Sequence, residues 1–194
     1  MPRLKAEQRR KQLIHVAMQV FARNGYDGST TAEIAKAAGI TEPILYRHFK
    51  NKQELFIAIV REVSDKTVKQ WADAIATEND PEERVRKLCS GIPEHIKKYA
   101  DAYHVLHGAL TNSRDKKVID VIREHYNTIH GFVRDVIKLG QDAGAFRADM
   151  KAKSAAWHIV MSGVGYATLS LNLGTIDRAS ISETIEEFLR GMKQ

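Results

Sequence analysis

Between Gly28 and Phe49 the chain reads GSTTAEIAKAAGITEPILYRHF, and this stretch limits the possible folds more than any other. Thr30, with Glu33 three residues on, forms a capping box that satisfies free N–H groups at a helix start. Ile34, Ala37 and Ala38 supply a buried side. Gly39 ends this helix after two turns. Thr41 caps the next one, with Pro43 in its first turn, where a missing N–H costs little. Ile44, Leu45 and Phe49 anchor that second helix, predicted over 42–49. Two short helices joined by a turn at Gly39 and Ile40 make a helix-turn-helix. The small residues Ala35 and Ala38 let the pair cross closely.

The remaining periodicity is helical throughout. Residues 1–6 read as a short basic arm. From Glu7 to Asn24, Leu13, Ile14, Ala17, Val20 and Phe21 recur at spacings of three and four, and Gly25 stops the helix. A helix from Lys52 to about Ile75 carries Leu55, Phe56, Ile59, Val60, Val63 and Trp71. ATENDPEE is a polar break, after which Asp80 caps a helix opening at Pro81, and Pro93 interrupts or restarts it. Further helical patterns run over 94–110, 116–140, 151–171 and 180–192, with TNSRDK, DAGAFRAD and NLGTID as connecting turns. Nothing reads as a strand, so the fold class is all-α.

Charge is distributed unevenly. The net charge is +6, and residues 1–52 hold ten Lys/Arg against four Asp/Glu, while the rest holds twenty of each. All the excess positive charge therefore lies in the segment that carries the helix-turn-helix. This suggests a polyanionic partner, with a merely solubilising terminus as the alternative.

A helix fits the major groove of DNA with its first turns at the base edges. Burial must take Leu45 and Phe49, which leaves Glu42, Pro43, Tyr46 and Arg47 as groove-facing candidates. Arg47 suits a bidentate pair to guanine, Glu42 an acceptor role toward a cytosine amine, and Tyr46 a phosphate or a thymine methyl. His48, Lys50 and Lys52 suit the phosphate backbone, as do Thr30 and Thr31 at the start of the preceding helix. Arg9, Arg10 and the arm residues Arg3 and Lys5 suit backbone or minor groove. Tyr46 and His48 also fit as half-buried packing residues.

The stretch GYDGSTTAEIAKAAGITEPILYRHFKNKQELF resembles the DNA-binding domain of the TetR family of transcriptional regulators over roughly residues 10–56. The resemblance rests on Phe21, Gly25, Tyr26, Thr30, Thr31, Ile34, Ala35, Ala38, Gly39, Leu45, Tyr46, Phe49, Lys52, Leu55 and Phe56. It implies a helix-turn-helix DNA-binding domain over 1–51 and a helical effector-binding and dimerisation domain over 52–194. It also implies a homodimeric, ligand-responsive regulator, most often a repressor, on a palindromic operator. Thr31, Thr41, Tyr46, His48 and Lys52 fall at positions that commonly touch DNA in the family. Ile44 departs from the small or Thr-like residue often found there.

The body suggests two further sites. Tyr99, Tyr103, His104, His107, His125, Tyr126 and His130 cluster within one stretch, each with an apolar body and a polar tip. Helical spacing brings Tyr99, Tyr103, Leu106, His107 and Leu110 to one face, and Tyr126, Ile129, His130 and Val133 to another. Facing each other, these would line a pocket for a small hydrophobic effector. An ordinary core edged with tyrosines is the alternative. The histidine spacing lacks supporting Cys or carboxylate ligands, so neither metal nor cofactor is expected. Dimer contacts are expected from Trp157, Val160, Val164, Leu169, Ile181, Ile185, Phe188 and Leu189, in a region rich in small residues. No nucleophile triad, P-loop or dinucleotide fingerprint occurs, so an enzyme is not expected. A helical interaction protein whose basic end touches RNA or an acidic protein is a further alternative. A single cysteine, Cys89, and the absence of an apolar run long enough for a membrane span point to a cytoplasmic location.

Overall fold

Helix boundaries follow from caps and glycines, and the computed structural model shows where each signal acts. It describes residues 5–174 and 176–193, the side chain of Arg178 excepted. Among these the regular elements are all α-helices: α1 (Ala6–Asn24), α2 (Thr31–Ala37), α3 (Glu42–Tyr46), α4 (Lys52–Ile75), α5 (Pro81–Lys98), α6 (Ala100–Asn112), α7 (Lys116–Asp142), α8 (Ala152–Leu173) and α9 (Arg178–Met192). Arg3 of the basic arm and Thr175 of the NLGTID turn lie outside the described residues.

Three sequence expectations change. The second helix of the helix-turn-helix stops at Tyr46 rather than Phe49. The Leu45 carbonyl accepts from both His48 N (2.9 Å) and Phe49 N (3.1 Å), which tightens the last turn. Pro93 neither interrupts nor restarts α5, which runs on to Lys98. A proline removes a single N–H, and the surrounding turns hold the helix together. The break comes instead at Tyr99, whose φ of −116° and ψ of 33° leave the helical region. Finally, α1 begins at Ala6, so Lys5 is its N-cap rather than part of an arm.

The chain divides into two compact units, one made of residues up to Ser64 with Asp101–His125, the other of Asp65–Ala100 with the chain from Tyr126 on. In the first, α1 packs on α2 and α2 on α3. Leu13, Phe21, Ile34, Leu45, Phe49, Leu55 and Phe56 are essentially inaccessible. Phe21, Tyr26 and Phe56 form an aromatic trio with ring centroids 4.8–6.0 Å apart. Gly39 joins α2 to α3 at a φ of +67°, a conformation that side-chain-bearing residues avoid. Farther along, Gln53 donates to Asp115 (2.6 Å), and Ser64 Oγ lies 2.6 Å from His125 Nδ1.

The second unit has its own apolar core, in which α5 packs against both α8 and α9. Phe146 is fully buried against Gly140, where an added Cβ would fall 2.3 Å from the ring. Arg86 of α5 pairs with Glu82 and Glu83 on its own helix and with Glu186 of α9. Lys193 reaches Glu82 at 2.8 Å.

Candidate nucleic-acid interface and effector cavity

The first unit presents its DNA-reading candidates on the two short helices. Thr30 caps α2 as expected: its hydroxyl accepts from Glu33 N (3.2 Å), and the Glu33 carboxylate accepts from Thr30 N (2.8 Å). Thr41 occupies the N-cap of α3 with its backbone carbonyl, which accepts from Ile44 N (3.0 Å), and makes no side-chain cap. Thr41, Pro43, Tyr46, Arg47 and Lys50 are exposed, while Thr31, Glu42 and His48 are half-buried. Tyr46 leaves 47 % of its surface open, and the exposed Arg47 guanidinium has no hydrogen-bond partner among the described residues. An extended cation and an aromatic ring are therefore free to meet a ligand beside a short helix.

Two of the candidate cations turn inward. The ammonium of Lys52, read from the sequence as a phosphate clamp, donates to the carbonyls of Tyr26 (2.8 Å), Ser29 (3.0 Å) and Asp27 (3.4 Å). It also lies 4.5 Å from the Tyr26 ring centroid. Here it acts as a strut between the start of α4 and the loop before α2. Arg10 likewise stacks its guanidinium over Phe49, 4.5 Å from the ring centroid. Sequence reasoning missed that Asn51 caps α4 by accepting from Glu54 N (2.8 Å). The N-x-x-E spacing was the available signal.

The effector candidates fall in both units. Tyr103, Leu106, His107 and Leu110 belong to the first. Leu106 is buried and Leu110 is exposed. Tyr99, Tyr126, Ile129, His130 and Val133 belong to the second. There Ile129 and Val133 are part of the apolar core, and Tyr126 packs on it with a phenol pushed up to about 12 by burial. His130 is buried, stacks on Trp157 (centroids 4.4 Å) and has Nε2 2.9 Å from the Lys153 carbonyl. The indole Nε1 of Trp71 is buried without a hydrogen-bond partner among the described residues. Beside it His95 is sealed in, with Nε2 3.1 Å from Thr67 Oγ1 and the ring 4.7 Å from Tyr99.

Burial, and then the Lys98 charge, depress His95 from 6.5 to about 4, so its ring is neutral at pH 7. An unfolded chain takes up a proton in this window that the folded chain refuses, so stability must fall as pH drops from 6.5 toward 4. The group contributes at most about 1.4 kcal/mol per pH unit. Urea midpoints of the wild type and His95→Gln, measured across that window, should diverge, with the wild type falling more steeply. Parallel curves would refute the buried neutral ring.

Nothing in the sequence signals the open cavity that α5, α8 and α9 line within the second unit. It measures about 310 Å³ and is lined mainly by apolar groups, including Ile92, Ile159, Leu169, Ile181, Ile185 and Phe188. None of the nine effector candidates lines it. Four of the eight dimer candidates do: Leu169, Ile181, Ile185 and Phe188. Of the others, Val160 and Leu189 are core, Trp157 packs against the core, and Val164 is half-buried. Phe188 stacks on His158 (centroids 5.2 Å) where the cavity adjoins a more polar groove bearing Arg147 and Lys151. Met161, Leu169 and Leu173 of α8 are exposed. Cys89 is buried at the cavity wall, and burial raises its thiol to about 12.

Among the described residues, no three His, Cys, Asp or Glu side chains are grouped to hold a metal ion, and no helix is long and apolar enough to cross a membrane.

Comparison with known proteins places both halves of the chain. Residues 13–59 match the family model described as bacterial regulatory proteins, tetR family, and residues 81–184 match the tetracyclin repressor-like C-terminal domain. The HTH-type transcriptional activator FasR of Mycolicibacterium smegmatis is 33 % identical over 104 residues, which are 54 % of this chain and 48 % of the activator, so the match spans about half of that relative. The fatty acid metabolism regulator protein of Bacillus subtilis is 25 % identical over 136 residues, covering 67 % of this chain and 69 % of the relative. Among solved structures, the transcriptional regulator FadR from Bacillus subtilis in complex with stearoyl-CoA superposes with a TM-score of 0.80 at 20 % identity, over 94 % of this chain and 98 % of that one.

Proposed function

The chain belongs to the tetR family of bacterial regulatory proteins, and we propose that it is a ligand-responsive repressor that binds a palindromic operator as a homodimer and is released by a small hydrophobic effector. The observation that carries the DNA-reading part is the exposure of Tyr46 and Arg47 together at the end of a helix-turn-helix that holds the chain's excess positive charge. Arg47 is the base reader, Thr41, His48 and Lys50 contact phosphate through their side chains, and Thr30 and Thr31 place the start of α2 at the backbone. Lys52 supports them by holding the loop before α2. The protein acts in the cytoplasm, where its DNA is.

The effector we assign is an amphiphile with an acyl chain. Among the proteins that resemble this chain are a fatty acid metabolism regulator and a transcriptional regulator in complex with stearoyl-CoA. The aromatic and histidine residues of the body suit such a ligand. In the second unit the buried Trp71 N–H would donate to its carbonyl, beside His95, whose ring meets Tyr99. The dimer contact we assign to α8 and α9, where Met161, Leu169 and Leu173 are exposed and Leu169 borders the apolar cavity. Two copies there would carry two reading heads to two half-sites. An effector that prefers one conformer shifts DNA affinity tenfold for each difference of about 1.4 kcal/mol.

A polarisation assay on the promoter next to the protein's own gene tests the reading. Tyr46→Ala and Arg47→Ala should each weaken specific binding about tenfold or more, within the range of lost base contacts, without lowering the melting temperature. Undiminished affinity in both variants would sink it. Raising salt should weaken binding to matched and mismatched duplexes alike, whereas a mismatch at constant salt should weaken a true reader alone.

A further inference from the structure

Three oxygens meet at the front of the helix-turn-helix. Glu42 Oε1 accepts from Thr31 Oγ1 at 2.5 Å and lies 3.3 Å from the Tyr46 hydroxyl. Thr31 Oγ1 and Tyr46 OH are 3.0 Å apart. Thr31 opens α2, while Glu42 and Tyr46 are the first and last residues of α3. We propose that Glu42 is a positioning residue of the DNA-reading surface: its carboxylate holds the Thr31 and Tyr46 hydroxyls in one triangle and so decides what Tyr46 offers to DNA.

The triangle contains two hydroxyl protons and three contacts. The shortest contact takes the Thr31 proton to the carboxylate, at a length typical of a charge-assisted O–H···O⁻ bond. The Tyr46 proton then goes to Thr31 Oγ1 or to Glu42, both within the triangle. Tyr46 has no proton left for a phosphate oxygen. Outward it presents an acceptor lone pair and a ring edge, which suit a base amine or a thymine methyl. Glu42, in turn, spends its inner oxygen on two hydroxyls instead of on a cytosine amine. These donors also share the negative charge that would otherwise face the phosphates. This inference rests on the DNA-reading function proposed above.

The test is a double-mutant cycle on the duplex that the full-length wild-type protein selects from a random-sequence library. Glu42→Ala and Tyr46→Phe should each weaken binding about tenfold, the scale of a lost hydrogen bond to a charged group. The double variant should bind no worse than the weaker single one, because both changes dismantle one network. Glu42→Gln should stay within about twofold of wild type, since its amide oxygen accepts from the same hydroxyls. Multiplicative losses, or a Glu42→Gln variant as weak as Glu42→Ala, would overturn the proposal. It would also fall if both Glu42 variants bound more tightly, making the carboxylate merely repulsive, or if Glu42→Gln selected a different base at one position, making it a direct reader. Failure of the wild type to select any duplex would remove the DNA-reading function itself, a result distinct from all of these.

Discussion

Phe56→Ala is expected to cost about 3–5 kcal/mol of folding free energy, the usual range for emptying a fully buried aromatic site. Phe56 is inaccessible to solvent and stands at the joint of the first unit. Its ring meets Tyr26 edge-on at 4.8 Å and Phe21 at 6.0 Å, so α1, the loop before α2 and the start of α4 all close on it. Lys52, one turn earlier, adds its three bonds to the same loop. Removing the ring takes away apolar transfer energy and leaves a void that three different segments would have to move together to fill. Set against total stabilities of about 5–15 kcal/mol, such a loss should bring the urea transition, followed by far-ultraviolet circular dichroism, to a much lower midpoint. DNA binding should fail at the same denaturant concentration. Phe56→Leu, which keeps most of the volume, should lose markedly less. A midpoint for Phe56→Ala close to wild type would contradict this packing.

Ile185→Glu should convert the protein to a monomer and weaken its grip on a palindromic operator. Ile185 is half-buried on α9 and lines the cavity with Leu169 and Phe188. In a free monomer the introduced carboxylate would stay near water, so the fold should survive, with an unchanged dichroism spectrum. In the proposed α8–α9 contact it would be trapped without a cation, and an unpaired buried charge costs several kcal/mol. At about 1.4 kcal/mol per tenfold, the dimer dissociation constant should rise at least about 100-fold. Light scattering at micromolar concentration would read this directly. A variant that remains a dimer would move the two-fold contact off this surface. Half-site affinity should be spared, because the proposed reading residues, between Thr30 and Lys50, lie in the other unit.

Much of the DNA-reading half was legible in the sequence because its signals are local. A capping box joins Thr30 to Glu33 across three residues, Gly39 breaks a helix where it stands, and the apolar positions of α1 repeat within each turn. The break near the end of α5 was misplaced. Pro93 is the strongest local breaker, yet the surrounding helix absorbed it, and the chain left the helical region at Tyr99 instead. The split of α8 and α9 was illegible for another reason. Val160 and Leu189 look no different in sequence from Leu169 and Ile185, but the first pair is core and the second borders an open cavity.

By itself, then, the sequence determined an all-helical chain with a basic helix-turn-helix at its front, since capping, chain-breaking and periodicity act over one or two turns. The tertiary structure decided the direction of each polar side chain. Lys52, expected from the sequence at a phosphate, has its ammonium on carbonyls 23 to 26 residues away. Glu42, expected from the sequence at a base, has one carboxylate oxygen against a hydroxyl 11 residues away. Such choices belong to pairs of groups that only folding brings together, and a charged or hydroxyl group turns toward whichever partner the fold places within 3 Å or so.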